Sequence, residues 1–499
     1  MVAENKKASK GSEQKAATTK KPAKTNPAQI AKARTGISGL DEVLHGGFAE
    51  KRTTLIKGAA GTGKTVLGQE FLYRSAIGGK PVILVSFEET AEAIRQNALA
   101  MGWDIPALEK AGKFFLWEAK IDRTAVSSGD FSIDSLLAVI KGKAQQIGAE
   151  RLMIDAIDVL MRIFEDPVKE RNELYRLHDW LIEQQLTTIL TAKITTESDE
   201  TYRYEFLDYM ADCVLLLDLR VTHQVATRRL RVIKYRGSGF CSNEYPYIIT
   251  GGGNVIMPIT TMQLMHRAPG EKITSGNAEL DKELGGGFHQ ASSILISGPT
   301  GSGKTTLAVT FTEKACSHRG KVLYVSFEES QESIVAAMLS PGIDMRPAME
   351  QGGLQFHTIM PEALVPEEHL YRILQKIEEF RPNHIVVDAI SACQRMGTEQ
   401  AAFDFLVRLI DTCKQRSITC LMTNQLDSNE QQLNISGIGI SSVIDTLITL
   451  RFVEVDGKIH RDLVVLKSRG THHSNQHHLY LITDSGIDIR PVETKTGAS

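Results

Sequence analysis

Short apolar runs of strand length recur along the chain, each followed by a polar turn and most by a helix-like segment. TTLIKG from Thr53 leads into GAAGTGKT and then VLGQEFLYRSA; ILVSFEE from Ile83 and RLMIDAID from Arg151 follow. The same set then returns as SSILISG from Ser292, GPTGSGKT, TLAVTFTEKAC, LYVSFEE from Leu323 and HIVVDAIS from His384. Continuous apolar runs mark strands buried on both faces, and their alternation with helical stretches predicts an α/β fold with a mostly parallel sheet flanked by helices.

The spacing turns this recurrence into a duplication. VSFEE at Val85–Glu89 and Val325–Glu329, the glycine-rich runs at Gly58 and Gly298, and LDEVLHGGF and LDKELGGGF at Leu40 and Leu280 all stand 240 residues apart. KYRG at Lys234 and KSRG at Lys467 stand 233 apart, so the second copy has lost seven residues. So long a period is a tandem of whole domains. The expected division is a basic tail over 1–35, domains over 36–258 and 259–490, and a loose tail over 491–499. The first 35 residues hold eight lysines and Arg34 against Glu4 and Glu13, without periodicity, and read as a solvated, disordered tail.

Charge and cysteine usage narrow the function. A formal net charge of −3 over 499 residues argues against a general nucleic-acid binder, and no apolar run is long enough to span a membrane. Six cysteines without a CxxC pair read as reduced thiols of a cytoplasmic protein.

GAAGTGKT and GPTGSGKT lie between a strand and a helix, the context of a phosphate-binding loop. Gly61, Thr62, Gly63 and Gly301, Ser302, Gly303 let backbone N–H groups curl round phosphates at a helix N-terminus. Lys64 and Lys304 reach the β- and γ-phosphates of ATP, and Thr65 and Thr305 offer a hydroxyl to Mg²⁺. Asp155 and Asp388 end a second apolar strand and are candidate metal partners. Glu88, Glu89, Glu328 and Glu329 stand at strand carboxyl ends, where open α/β sheets bind ligands. They are candidate bases for an attacking water or hydroxyl, with Glu328 also a metal candidate. A solvated helix start is the other reading of these acids. Lys234, Arg236, Lys467 and Arg469, with Arg228 and Arg461 six residues before each lysine, lie at the far end of each domain sequence from its glycine-rich loop and are candidate ATP contacts.

GAAGTGKT, VSFEE, RLMIDAID and KYRG, each with a second copy, resemble the KaiC family of duplicated RecA-like ATPases, from about Ile37 to about Arg490. The resemblance implies two tandem RecA-like P-loop domains, ATP and Mg²⁺ as ligands, and a homo-hexamer, as one ring or two stacked, with ATP between subunits, so that the six cations would meet a neighbour's γ-phosphate in the manner of arginine fingers. It also implies self-phosphorylation in the second domain. GIGISSVIDTLITL puts Ser441 and Ser442 at the acceptor positions, where well-known members carry Ser-Thr; Phe206, Leu207 and Asp208 fill the corresponding region of the first domain. Two departures follow. The sequence stops soon after RPVETKTGAS, so stimulation by a KaiA-type activator is not expected, whereas a KaiB-type partner on the first domain fits the resemblance. Phe240 stands where a histidine often follows the first KxRG. THHSNQHH at Thr471–His478 follows KSRG and is read as interface chain rather than a metal site. A DNA-dependent ATPase built on the same fold, a recombinase or helicase, is the alternative.

Overall fold

The computed structural model describes residues 30–120, 133–164, 166–193, 206–222, 225–258, 270–426, 439–455, 457–474 and 476–492. Most of both predicted tails lies outside these residues. Each half builds one nine-stranded sheet. In the first half the strands are β1 (Thr53–Gly58), β2 (Val82–Ser86), β3 (Phe114–Glu118), β4 (Arg151–Asp155), β5 (Thr187–Lys193), β6 (Cys213–Thr222), β7 (Val225–Tyr235), β8 (Glu244–Thr250) and β9 (Gly253–Ile256). The second half repeats them as β10 (Ser293–Gly298), β11 (Val322–Ser326), β12 (Leu354–Thr358), β13 (His384–Asp388), β14 (Thr419–Gln425), β15 (Thr446–Val455), β16 (Lys458–Ser468), β17 (His478–Thr483) and β18 (Gly486–Pro491).

The orders are β3-β2-β4-β5-β1-β6-β7-β8-β9 and β12-β11-β13-β14-β10-β15-β16-β17-β18, the same path twice. β1 to β6 and β10 to β15 run parallel; the last three strands of each sheet are antiparallel. Val82–Ser86, Arg151–Asp155, Val322–Ser326 and His384–Asp388 are buried along their whole length, as the apolar run inside each predicts.

Both faces of the first sheet carry a core. Leu67, Phe71 and Leu72 of helix α1 (Lys64–Ile77) pack on one, and Leu174, Leu177 and Leu181 of α2 (Pro167–Gln184) pack on the other. In the second half α3 (Lys304–Ser317) brings Leu307 and Phe311 to one face, and α4 (Glu399–Gln415) brings Phe405, Leu406 and Leu409 to the other. The halves meet where Met257 packs against the second core and Arg229 pairs with Glu367 at 3.6 Å. Stacking helices on both faces leaves the carboxyl ends of the parallel strands as the open edge, and all four loop and acid motifs emerge there.

Candidate active sites

Each glycine-rich loop is clamped by its own domain. Gly63 and Gly303 have φ of 85° and 96°, and a Cβ there would come within 2.6 Å of Ile249 and 2.7 Å of Tyr480. Glycine is required by both conformation and space. Tyr480 donates its hydroxyl to the Gly303 carbonyl at 2.9 Å, and Tyr247 does the same to Thr62. Lys64 Nζ donates to the Ala59 carbonyl at 2.9 Å; Lys304 Nζ donates to Gly298 and Pro299, both at 2.8 Å. Burial lowers the pKa of both lysines, which nearby carboxylates partly offset.

The VSFEE turn has a local physical cause. Ser86 Oγ accepts the Glu89 N–H at 3.1 Å and donates to the Glu89 carbonyl at 2.9 Å; Ser326 treats Glu329 alike. The phenylalanine N–H that follows each serine donates to the Asp155 or Asp388 carbonyl, at 2.7 and 3.0 Å. These bonds separate the paired glutamates. Glu89 accepts from Asn97 at 3.1 Å and Glu329 from Ser333 at 2.9 Å, both toward the following helix. Glu88 and Glu328 instead face the site. Glu88 is raised above the ordinary carboxylate value by desolvation and by Asp155 and Asp158, against Lys64 and Lys193. Glu328 is raised by desolvation, with Arg395 opposing and Asp388 reinforcing.

Asp155 is 1% exposed and accepts the Thr65 hydroxyl at 3.0 Å and that of Thr191. Desolvation raises its pKa despite both bonds. The threonine predicted to offer its hydroxyl to a metal and the aspartate predicted to face that metal are therefore already together. A loop threonine hydroxyl paired with a buried carboxylate is a hard-oxygen pair that suits Mg²⁺ held mainly by a nucleotide's phosphates; Asp158 and Glu88 add charge nearby, and among the described residues no three acidic, histidine or cysteine side chains converge on one point. Asp388 is held differently, by the hydroxyls of Tyr324 at 2.8 Å and Thr423. Asp158 was not a predicted site residue, although RLMIDAID displays it. It is buried and accepts the Lys193 N–H at 3.0 Å, where Ser391 accepts from Gln425 at 3.3 Å in the second half.

The cationic set divides in two. Arg228 Nε donates to the Gly61 carbonyl of its own chain's loop at 3.4 Å, and Arg461 Nε to that of Gly301 at 3.1 Å. These two arginines therefore lie against the loop of their own chain. A β-bulge explains the division. Val214 pairs with Lys234 but Leu215 with Val232, leaving Ile233 as an extra residue; Leu466 is extra in β16. The bulge inverts the side-chain alternation, so Lys234 and Arg236 leave the face that Arg228 shares with Leu230 and Val232. Lys234 donates to the Asp208 carbonyl at 2.7 Å and Arg236 lies over the Tyr209 ring at 5.4 Å. Lys467 donates to the Ser441 carbonyl at 2.9 Å and Arg469 to that of Ser442 at 2.6 Å. Asp208 and Tyr209 are therefore the first-half counterparts of Ser441 and Ser442. Both serines are exposed.

The remaining predicted groups fall outside the phosphate site. Phe240 packs against the first core. His477 pairs with Asp462 at 2.6 Å and His478 with Glu283 at 3.2 Å. All six cysteines are free thiols, four of them buried. Among the described residues no helix is long and apolar enough to cross a membrane.

A family model described as a KaiC ATPase matches residues 33–261 and again 273–494. The circadian clock protein KaiC2 of Synechocystis sp. is 36% identical over 92% of this chain and 81% of its own length. The circadian clock oscillator protein KaiC of Synechococcus elongatus is 34% identical over 92% and 89%, and KaiC3 of Synechocystis sp. 33% identical over 94% of each. Two loops, two acid clusters and two sheets of one order, matched twice by one family model, make this chain a member of the KaiC family of tandem RecA-like ATPases.

Proposed function

We propose that the chain works as a hexameric ring with ATP between subunits, hydrolysing ATP in its first domain and phosphorylating itself on Ser441 and Ser442 in its second, in a timing or signalling role. The supporting observation is the division of the cations. Lys467 and Arg469 point away from the loop of their own chain and hold the backbone of the two acceptor serines. A neighbour's γ-phosphate that engages these cations is thereby brought beside the serine hydroxyls.

The roles follow from this placement. Backbone N–H groups of the loop, Lys64 or Lys304, and Arg228 or Arg461 bind the polyphosphate in cis. Thr65 with Asp155, and Thr305 with Asp388 and Glu328, would hold Mg²⁺, which neutralises charge on the phosphates. Glu88 takes a proton from the attacking water in the first domain. Glu328 takes the proton of a neighbour's Ser441 or Ser442 as its Oγ bonds to the γ-phosphorus and ADP leaves. Lys467 and Arg469 stabilise the transferring charge in trans.

Incubation of the pure protein with ATP and Mg²⁺, followed by mass spectrometry, should place phosphate on Ser441, Ser442 or both, without a further kinase or activator. Ser441→Ala/Ser442→Ala should abolish the labelling. Undiminished incorporation in that double variant, or none in the wild type over many hours, rejects the autokinase assignment.

A further inference from the structure

The two domains differ at a position their common register makes equivalent. Leu84 of β2 pairs with Met153, and Tyr324 of β11 pairs with Val386; in both cases the aspartate follows two residues later on the neighbouring strand. Side chains two residues apart share a face, so Leu84 and Tyr324 each lie diagonal to the catalytic-site aspartate. Leu84 has nothing to donate. Tyr324 is fully buried, packs at a tilt on Phe356 with ring centroids 5.0 Å apart, and donates its hydroxyl to Asp388 Oδ2 at 2.8 Å. Thr423 takes the other oxygen, as Thr191 does on Asp155. The consequence is on the remaining oxygen. Asp155 Oδ2 accepts Thr65 at 3.0 Å, whereas among the described residues Asp388 makes no hydrogen bond to Thr305.

We infer that Tyr324 is a positioning residue that commits Asp388 Oδ2 to the sheet and makes the second nucleotide site the weaker of the two for its divalent cation. This rests on the ATP–magnesium reading of both sites. Thr65 can offer its oxygen to a cation while its hydrogen stays on Asp155, so that bond turns the carboxylate toward the loop; the buried Tyr324 phenol belongs to the sheet, and its bond holds Asp388 Oδ2 there and draws charge from it, leaving a poorer partner for a cation and its water shell. The two sites then differ in metal demand although their loops, threonines and glutamates match.

Mn²⁺ serves as the probe, followed by electron paramagnetic resonance on the whole chain with a non-hydrolysable ATP analogue. Lys64→Ala confines nucleotide to the second site and Lys304→Ala to the first. The first site should bind Mn²⁺ more tightly. Tyr324→Phe in the Lys64→Ala background should tighten the second by about tenfold, the scale of one hydrogen bond to a charged group. Metal-free affinity for the analogue should stay unchanged, because the ring and its packing on Phe356 are retained. A merely structural tyrosine would move stability and nucleotide affinity and leave the metal preference alone. Equal Mn²⁺ affinity at the two sites, or at the second site with and without the phenol, overturns the role of Tyr324 alone. Absence of Mn²⁺ binding at both sites overturns the ATP–magnesium reading with it.

Discussion

At the scale of single residues, one carboxylate separates the two acid clusters. Asp158 stands three residues after Asp155, and Ser391 takes that place after Asp388. Glu88 therefore faces two buried acids, while the first charge acting on Glu328 is the cation Arg395. A carboxylate pushed upward is the better proton acceptor near neutrality, and both glutamates are pushed up, Glu88 with two acids behind it and Glu328 against Arg395. Glu88→Gln keeps the shape and removes the basic oxygen. In a Lys304→Ala background it should slow ATP hydrolysis by about 10²–10⁴-fold while ATP still binds; an unchanged rate removes Glu88 from that role. The sign of the pH effect also follows. The base must be unprotonated, so the acid limb of turnover should lie above the ordinary carboxylate value of 4.5. Asp158→Asn removes a charge that raises Glu88, and should move that limb to lower pH. A limb that stays put or moves up contradicts the coupling.

At the scale of elements, a single inserted residue decides to which face of the sheet a cation turns. The KxRG motif and the arginine six residues before it look like one cationic group in the sequence. The strand's alternation breaks between them, because Ile233 and Leu466 bulge out. Arg461→Ala should therefore weaken nucleotide binding by the second domain's own loop even in isolated subunits. Arg469→Ala should leave that binding intact and lower assembly or turnover of the second ring alone. Nucleotide titration beside light scattering distinguishes them, and matching defects in both variants refute the division. Much else was legible beforehand. The strands announce themselves as unbroken apolar runs, and the loops and acids by residue types that few other uses require. The bulge was not legible, because Ile233 and Leu466 look like ordinary strand residues and only pairing register reveals the extra one. Nor was the Tyr324 contact, because VLYVS reads as a buried strand whichever way the phenol turns.

At the scale of the whole molecule, the copies should respond differently to acid. His384 is 9% exposed, packs edge-on against Phe311 at 5.4 Å, and is lowered from 6.5 to about 4 by desolvation. His357, less buried, is lowered to about 4 by desolvation and by Lys376. Unfolding frees both to take a proton, so the stability they hold above pH 6.5 is lost as pH falls toward 4. His384 contributes at most about 1.4 kcal/mol per pH unit in that window, and His357 less. Calorimetry between pH 7.5 and 5 should show the second half's transition falling ahead of the first's, with His384→Asn flattening the slope. A first half that fails earlier refutes this. Assembly is checked at neutral pH: light scattering with ATP should report a hexamer, and an active monomer would end the shared-site scheme.

The lysine of each KxRG grips a main-chain carbonyl, of Asp208 in one half and of Ser441 in the other. Every amino acid supplies that carbonyl, so the clamp is indifferent to what the gene encodes there. Either copy can carry an acidic, aromatic or hydroxyl side chain at that point without losing the lysine's bond. The first half carries an aspartate tied to Lys57, the second adjacent serines. Under the proposed function, a regulatory mark is then gained or discarded by single codon changes, on a frame both descendants inherited.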